Sequence, residues 1–447
     1  MKADEHGFII ALDQQLMSVG ALICWPDERP EHQLAPLLPG EPDLELTMIT
    51  SRSDGLALLT AGAVLLAGAA QAEEFFDDRL TRDWGGQRTA LLERGLSIEA
   101  FNTTDGFRAI RGGLSRGSAV SNEFELVLAA DLAALSGWPG AMLYLHTAGS
   151  GGRSPAELSG TVHEPSDLVE DKAWRVVEFW YEQSFLQQRL SVLAGLFEVD
   201  SDFDVRETAD VFLNSGFGFG LELPDVELGS TSFSRLSGLG LRTRFQVLPQ
   251  LGLTAAVMED VSAEIDPDEG RFWIGEADWQ PQGFAFLRLG LGGWHYSGRF
   301  ERLDGSGENG STRGGYAFVE GVLFNEAGTR DQGLSGFARI GRADQRVNRF
   351  ASQQAVGLVY TGLIPGRDED VLGLGLSSVR NGDDFLGLVA RDAGRARRHE
   401  TLVELTYHCK VRPWLSVQPS IQYAIHPDTD PAIDNHLTVG LRLAVSL

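Results

Sequence analysis

Apolar and polar side chains alternate along many short stretches of this 447-residue chain, and no long apolar stretch occurs after Glu73. Successive side chains of a β-strand point to opposite faces, so such a stretch can present one face to lipid and the other to water. The pattern is clearest from His436 to Leu447, where Leu and Val alternate with Thr, Gly, Arg, Ala and Ser. If this part of the chain enters a membrane, it must do so as strands.

The same alternation recurs upstream, with arginine repeatedly on the polar face. It is seen at Leu239 to Val247, Ala285 to Leu291, Leu334 to Ile340 and Trp414 to Tyr423. Pro419 cannot donate a ladder hydrogen bond, which weakens the pairing of this strand and allows a bulge there. Aromatic residues near the strand ends are expected to form girdles at the membrane interfaces; they are Trp273, Trp279, Trp294, Tyr296, Trp414 and Tyr423.

Connections of two lengths separate these stretches. The short turns are at Leu248 to Gln250, Gln280 to Gly283, Pro365 to Asp368 and Arg412 to Pro413. The long polar connections are at Thr147 to Lys172, Asp200 to Arg235, Ser297 to Gly315 and Val379 to Arg398. Such sorting is typical of outer-membrane barrels. At roughly 23 residues per strand and connection, the chain after residue 72 suffices for an all-β, antiparallel transmembrane barrel of about 16 strands.

A leader is predicted before the barrel. Leu56 to Ala72 is apolar and ends in Ala70-Gln71-Ala72, a pattern that signal peptidase accepts. We expect residues 48–72 to be a signal peptide and residues 1–47 to lie upstream of the true start at Met48. The alternative is an uncleaved membrane anchor. Residues 73–97 are then an N-terminal periplasmic or plug segment with a short helix, and residues 98–447 are the barrel.

The charge, the cysteine and histidine content and the lack of a catalytic motif argue against several classes of function. A formal net charge of −26 disfavours nucleic acid as a partner. Cys24 and Cys409, the only cysteines, cannot form a disulfide framework, and the histidines lack metal-ligand spacing. Gly113 to Gly117 fits a nucleophile-elbow pattern but lacks the strand and helix that would flank it. We therefore expect no catalytic residue, no metal and no cofactor.

Three regions of the chain resemble the carbohydrate-selective porin (OprB) family. Leu80 to Gly95 (LTRDWGGQRTALLERG) is similar to the family's N-terminal signature, which precedes a short helix and the first strand. Val176 to Phe185, Leu196 to Asp204 and Thr208 to Phe217 are similar to its central block, and Pro413 to Tyr423 with Gly440 to Leu443 to its last strands. The resemblance implies a Gram-negative outer-membrane channel for small sugars, inserted into lipid by the barrel assembly machinery and commonly trimeric.

The chain departs from the family pattern at three places. Arg82 stands where the family usually has Gly, and Phe197-Glu198 stands where it usually has Gly-Lys. Leu447 ends the chain where outer-membrane proteins usually end in Phe. Because Glu198 replaces a cation with an anion, the family's sugar preference cannot be transferred directly.

Candidate channel-lining residues follow from the alternation. On Ala173 to Phe185, Val177, Phe179 and Tyr181 are expected on one face, opposite a carboxylate-aromatic-carboxylate set suited to sugar hydroxyls and an apolar sugar face. That set is Glu178, Trp180 and Glu182. The alternative is that these residues only satisfy the barrel.

The acidic, irregular stretch Asp200 to Asn214 is the second candidate. It is predicted either to fold inward and narrow a pore or to be an ordinary surface loop. Its candidate lining residues are Asp202, Asp204, Arg206 and Asn214, and the opposing arginines are Arg242, Arg244, Arg288 and Arg339. Opposite charges across a channel order water and disfavour apolar solutes. Rival functions are an outer-membrane barrel enzyme and a plugged structural or adhesive barrel.

Overall fold

The computed structural model describes residues 76–168, 173–223, 237–260, 270–284, 286–329, 331–392 and 394–447. The predicted upstream extension and signal peptide lie outside the described residues. So do Lys172 and Arg235, which end two of the predicted long connections, and Ala285, which begins a predicted strand. These predictions stay predictions.

The described residues form a closed, antiparallel barrel of sixteen strands. The strands are β1 (Leu96–Arg111), β2 (Gly117–Asp131), β3 (Ala141–Gly152), β4 (Trp174–Phe185), β5 (Leu190–Glu198), β6 (Ser237–Leu248), β7 (Leu251–Asp260), β8 (Phe272–Trp279), β9 (Leu287–Glu301), β10 (Glu308–Asn325), β11 (Gly333–Ala343), β12 (Phe350–Thr361), β13 (Val371–Asn381), β14 (His399–Arg412), β15 (Leu415–Ile425) and β16 (His436–Ser446). Each pairs with its neighbours in sequence, and β16 pairs with β1. Closure leaves no unpaired strand edge, which a lipid environment requires. The predicted fold is confirmed.

Alternation along the strands gives the barrel an apolar outer face. Leu291 is 66% exposed, and Leu239, Leu241 and Ile421 are also exposed. Arg242, which directly follows the exposed Leu241, is buried. Large apolar side chains that are exposed in a continuous band are expected to contact lipid.

Four short α-helices lie among the described residues: α1 (Gln87–Leu92), α2 (Leu132–Ser136), α3 (Ala156–Ser159) and α4 (Asp383–Arg391). The Asp83 carboxylate accepts hydrogen bonds from the backbone N–H and hydroxyl of Thr89, which supports the first turn of α1. Among the described residues, no helix has both the length and the apolar character needed to cross a membrane. The short helix predicted before the first strand is confirmed.

The N-terminal motif lies against the seam that closes the barrel. The Arg88 guanidinium covers the Trp84 ring at 4.2 Å and donates to the Leu447 carbonyl at 2.7 Å. The backbone of Arg82 has a φ of 52°, a left-handed conformation that favours glycine. This geometry explains why a glycine suits that position in the family signature.

Connections of different length are sorted between the two barrel ends. Residues 153–173, 199–236 and 382–398 connect odd-numbered to even-numbered strands at one end, whereas residues 186–189, 249–250 and 413–414 turn at the other. The prediction of a long connection at Ser297 to Gly315 is wrong. Strands β9 and β10 both extend into this stretch and leave only residues 302–307 between them. Strand ends that project beyond lipid have water on both faces, so polar sequence there does not terminate pairing.

Two other expectations are corrected. Trp294 and Tyr296 are buried in an aromatic cluster inside the barrel with Phe272 and Tyr316, so they do not belong to a girdle. Trp273, Trp279 and Tyr423 are exposed, as expected for a girdle. The bulge allowed at Pro419 is absent from the pairing with β16, where Pro419 faces Leu441 in unbroken register.

Candidate functional site in the barrel lumen

The long connection after β5 folds into the barrel. Its described part, residues 199–223, is named the inward segment. Near its start, Asp202 pairs with Arg242 of β6; further along, the backbone N–H groups of Leu213 and Asn214 donate to Glu404 of β14. Because these strands lie far apart around the barrel, the inward segment crosses the lumen.

The first half of the inward segment, residues 199–206, is held by ion pairs. The Asp202 carboxylate accepts from Arg242 Nε at 2.9 Å and from Arg244 Nη2 at 2.6 Å. Burial acts to raise the pKa of Asp202, but these two guanidinium groups hold it below its usual value. Arg339 lies 2.7 Å from Asp204 and 2.6 Å from Glu222, with all three side chains almost fully buried.

Arg206 continues this network. It pairs with Asp204 and donates to the Phe217 carbonyl at 2.9 Å, so it joins the two ends of the segment's own fold. Three predicted residues, Asp204, Arg206 and Arg339, therefore meet in one buried cluster. Burial of charge at this density requires mutual pairing, which the geometry provides.

The second half of the inward segment, residues 211–217, is held by hydrogen bonds and aromatic rings, and within the described residues it makes no ion pair. The side-chain amide N–H of Asn214 donates to the Gln422 side chain at 2.8 Å, and the side-chain oxygen Oδ1 of Asn214 accepts from Gly216 N. The Phe212 and Phe217 rings stack at 4.3 Å, and Phe337 of β11 meets Phe217 edge-on at 6.3 Å. Gly373 and Gly375 of β13 admit these rings, since a Cβ at either position would clash with them.

A second connection also enters the barrel. Residues 153–168, named the companion segment, place His163 against Glu400 at 2.7 Å and Ser377 at 3.1 Å. Ser166 donates to Asp105 of β1 at 2.7 Å. The sequence predicted a long connection here but not these contacts, because a lone histidine carries no signal for a partner so distant in sequence.

The predicted set on β4 lies inside the barrel, but most of it is covered. Glu178 and Trp180 are 1% and 2% exposed; Glu178 accepts from Glu198 N, and Trp180 stacks on Tyr144 at 4.7 Å. Glu182 is half-buried and accepts from Arg242 at 2.8 Å. The expected outward position of Val177 is wrong, because the pairing of β3 and β4 shifts there and buries this side chain.

Charged side chains that keep some solvent exposure lie towards the short-turn ends of the strands. Arg244 has a 47% exposed side chain, and Arg288 pairs with Asp278 and with Glu320 while donating to the Val205 carbonyl at 3.0 Å. Burial, together with Glu320 and Asp278, raises the pKa of the nearby Glu207. Arginines and carboxylates thus alternate along the lumen wall from β4 to β10.

Sequence reasoning missed the carboxylates that receive the inward segment. Glu276 accepts from Asp204 N, Glu320 from Thr208 N, and Glu404 from Leu213 N and Asn214 N. Their one available signal was an acidic residue on the polar face of an alternating strand. Within the described part of the chain, no group of three His, Cys, Asp or Glu side chains is arranged to hold a metal ion.

Comparison with known proteins agrees with this architecture. The family described as "Carbohydrate-selective porin, OprB family" matches residues 115–447. Porin B of Pseudomonas aeruginosa strain PAO1 is 24% identical over 438 residues, covering 86% of this chain and 96% of that protein. The putative porin QuiX of Acinetobacter baylyi is 22% identical over 437 residues, covering 87% and 98%.

Solved structures share the fold. Pseudomonas putida OprB at high pH has a TM-score of 0.76 at 23% identity, covering 83% of this chain and 99% of that one. Its low-pH structure has a TM-score of 0.58 at 21% identity and covers 83% and 98%. Because the family match spans most of the chain, the barrel lies in the outer membrane, and the chain belongs to the carbohydrate-selective porin family.

Proposed function

We propose that this porin conducts small, glucose-like sugars by passive diffusion through a water-filled channel lined by arginines and carboxylates. The observation that carries the proposal is the alternating charge on the lumen wall, where Glu182, Arg244, Asp278 and Arg288 all keep some exposure. Such groups can replace the hydration of sugar hydroxyls, and their field disfavours apolar solutes.

The deeply buried candidates are proposed to act differently. Glu178, Trp180, Asp204, Arg206, Asn214 and Arg339 are each at most 4% exposed. Asp204, Arg206 and Asn214 belong to the inward segment, and Arg339 pairs with it. Glu178 and Trp180 contact Glu198 and Tyr144 of the neighbouring strands. We propose that these buried groups set the position of the inward segment and of the wall beside it, and thereby the width of the pore. Direct sugar contact is assigned only to the partly exposed side chains of Glu182, Arg244, Asp278 and Arg288.

Liposome swelling tests the proposal. Vesicles containing the porin should swell in pentoses and hexoses and progressively less in disaccharides and trisaccharides. The variant Glu182→Gln/Arg244→Gln should change the relative rates among sugars of equal size. A barrel that is plugged would admit no sugar, and one that is an enzyme would hydrolyse lipid without conductance; either result would contradict the proposal.

We also propose a homotrimer, inserted by the outer-membrane barrel assembly machinery. The support is a polar strip on the outer face of β1 and β2, where Asn122 donates to Asn102 at 3.1 Å and to Thr104 at 2.7 Å. Side chains of this kind suit protein contact better than lipid. Crosslinking in native membranes should yield a trimer, and Asn122→Leu should weaken it.

A further inference from the structure

Arginines collect on the outer face of the barrel at its long-connection end. We name Arg313, Arg342, Arg346 and Arg380 the outer arginine patch. In the strand register Arg342 of β11 faces Ser352 of β12, and Ser352 in turn faces Arg380 of β13. Neighbouring strands lie about 4.8 Å apart, so the two guanidinium groups can reach a common point above Ser352.

The register shows that the side chains of Arg342 and Arg380 point away from the lumen. On β11, Phe337 and Arg339 contact the inward segment, so Ile340 and Arg342 belong to the opposite face. Ile340 is exposed, as are Val356 of β12 and Leu376 of β13. The outer arginine patch is therefore the polar region that directly follows the apolar band on these strands.

Two depressions in the surface meet at this patch. One of about 460 Å³ is lined by Arg313, Arg342, Arg346 and Asp344. The other, of about 580 Å³, is lined by Arg342, Arg380, Ser352 and Gln354, among others. Both depressions share Arg342 and Asp344, and the second also offers the Ser352 hydroxyl and the Gln354 amide beside the guanidinium groups.

The local charge is positive although the whole chain is acidic. Asp344 pairs with Arg346 at 2.5 Å, and Asp383 lies 3.5 Å from Arg380 but 2.6 Å from Arg398. Within the described residues, no ion pair involves Arg313 or Arg342. The four arginines of the patch thus face two carboxylates, Asp344 and Asp383, and keep a net positive charge beside an apolar surface, in a protein of formal net charge −26.

We propose that the outer arginine patch binds a phosphorylated glycolipid of the outer leaflet. Long connections mark the extracellular end of an outer-membrane barrel, so the patch lies at the headgroup level of that leaflet. Arginine binds phosphate oxygens with two parallel hydrogen bonds, and acyl chains of the same molecule would lie along Ile340, Val356 and Leu376. The inference depends on the orientation of the barrel and not on which solute it conducts.

Binding of purified lipopolysaccharide tests this assignment. The intact porin and Arg342→Gln/Arg380→Gln are purified in a zwitterionic detergent, and bound lipopolysaccharide is measured by native mass spectrometry and by the shift in thermal unfolding midpoint. We expect the double variant to bind at least tenfold more weakly. Arg412→Gln, an exposed site at the opposite end of the barrel, should bind as the wild type does.

Three outcomes would overturn the proposal. They are undiminished binding by the double variant, equal binding of lipopolysaccharide whose phosphates have been removed, and an equal thermal shift from inorganic phosphate alone. Circular dichroism and liposome swelling check that the variant barrel is intact. If the double variant does not fold, Arg342→Lys/Arg380→Lys retains the charge and should show intermediate binding, because lysine lacks the bidentate fork.

Discussion

The two halves of the inward segment reach opposite sides of the lumen by different chemistry. Residues 199–206 are held by Arg242, Arg244 and Arg339 through ion pairs, whereas residues 211–217 are held by stacked rings and by hydrogen bonds in which at least one partner is neutral. Buried ion pairs are costly to break singly because the abandoned charge stays buried. Neutral contacts are weaker individually and can be lost one at a time.

The largest effect is expected from Arg339→Gln. The substitution leaves Glu222 buried without its cation and removes one of the two cations from Asp204, which keeps Arg206, at a cost of about 3–5 kcal/mol. We expect the first half of the inward segment to leave the wall, with a lower thermal unfolding midpoint and larger, noisier single-channel conductance in planar bilayers.

A matched control lies on the same strand. Arg342→Gln removes an equal charge from the outer face of β11, so it should leave conductance unchanged in bilayers of zwitterionic lipid. Wild-type conductance and midpoint in Arg339→Gln would show that the ion pairs do not hold the segment.

Phe217→Ala is expected to act on the other half with a somewhat smaller effect. It removes the ring that stacks on Phe212 and meets Phe337 edge-on, at a cost of about 3 kcal/mol. Residues 211–217 should then become accessible to chymotrypsin in the folded barrel. Phe284→Ala, at an exposed turn, is the control. Equal protease resistance in Phe217→Ala and wild type would contradict this role of the rings.

The sequence predicted the barrel well because one face of every strand must suit lipid. Leu239, Leu241 and Leu291 lie where alternation places them. Alternation stops being informative where both faces meet water, as at the ends of β9 and β10, or where a register shift intervenes, as at Val177. Aromatic residues were ambiguous for a related reason: Trp273 and Trp294 look alike in sequence but lie on opposite faces.

The candidate site was predictable in composition but not in pairing. Asp202, Arg242 and Arg244 were all named from the sequence, and the structure brings them together. Nothing in the sequence tells which arginine meets which carboxylate across the lumen, because the partners lie on strands distant along the chain. Glu404 illustrates the limit, since its partners are backbone N–H groups of a loop.

Asn214→Ala should have a smaller effect than Phe217→Ala. The change removes the hydrogen bonds that the Asn214 side-chain amide makes with the Gln422 side chain and with the Gly216 backbone N–H, at a cost of about 1–2 kcal/mol. We expect a modest drop in unfolding midpoint and brief openings to a higher conductance level, with the same amplitude at low and high salt because the lost groups are neutral. A strong salt dependence of these openings would indicate that the two halves are coupled.

The smallest effect on stability is expected from Arg244→Gln, because its side chain is 47% exposed and Asp202 keeps Arg242 as a partner. An exposed ion pair contributes less than about 1 kcal/mol. Ion selectivity should respond more strongly, since one positive charge leaves the water-accessible part of the lumen. The reversal potential in a KCl gradient should therefore shift towards cation preference, most clearly at low salt, where screening is weak.

Glu182→Gln, which removes a negative charge from the same wall, should shift the reversal potential the opposite way. If both variants moved the reversal potential in one direction, the effect would come from a displaced inward segment, and neither side chain would lie in the conducting path.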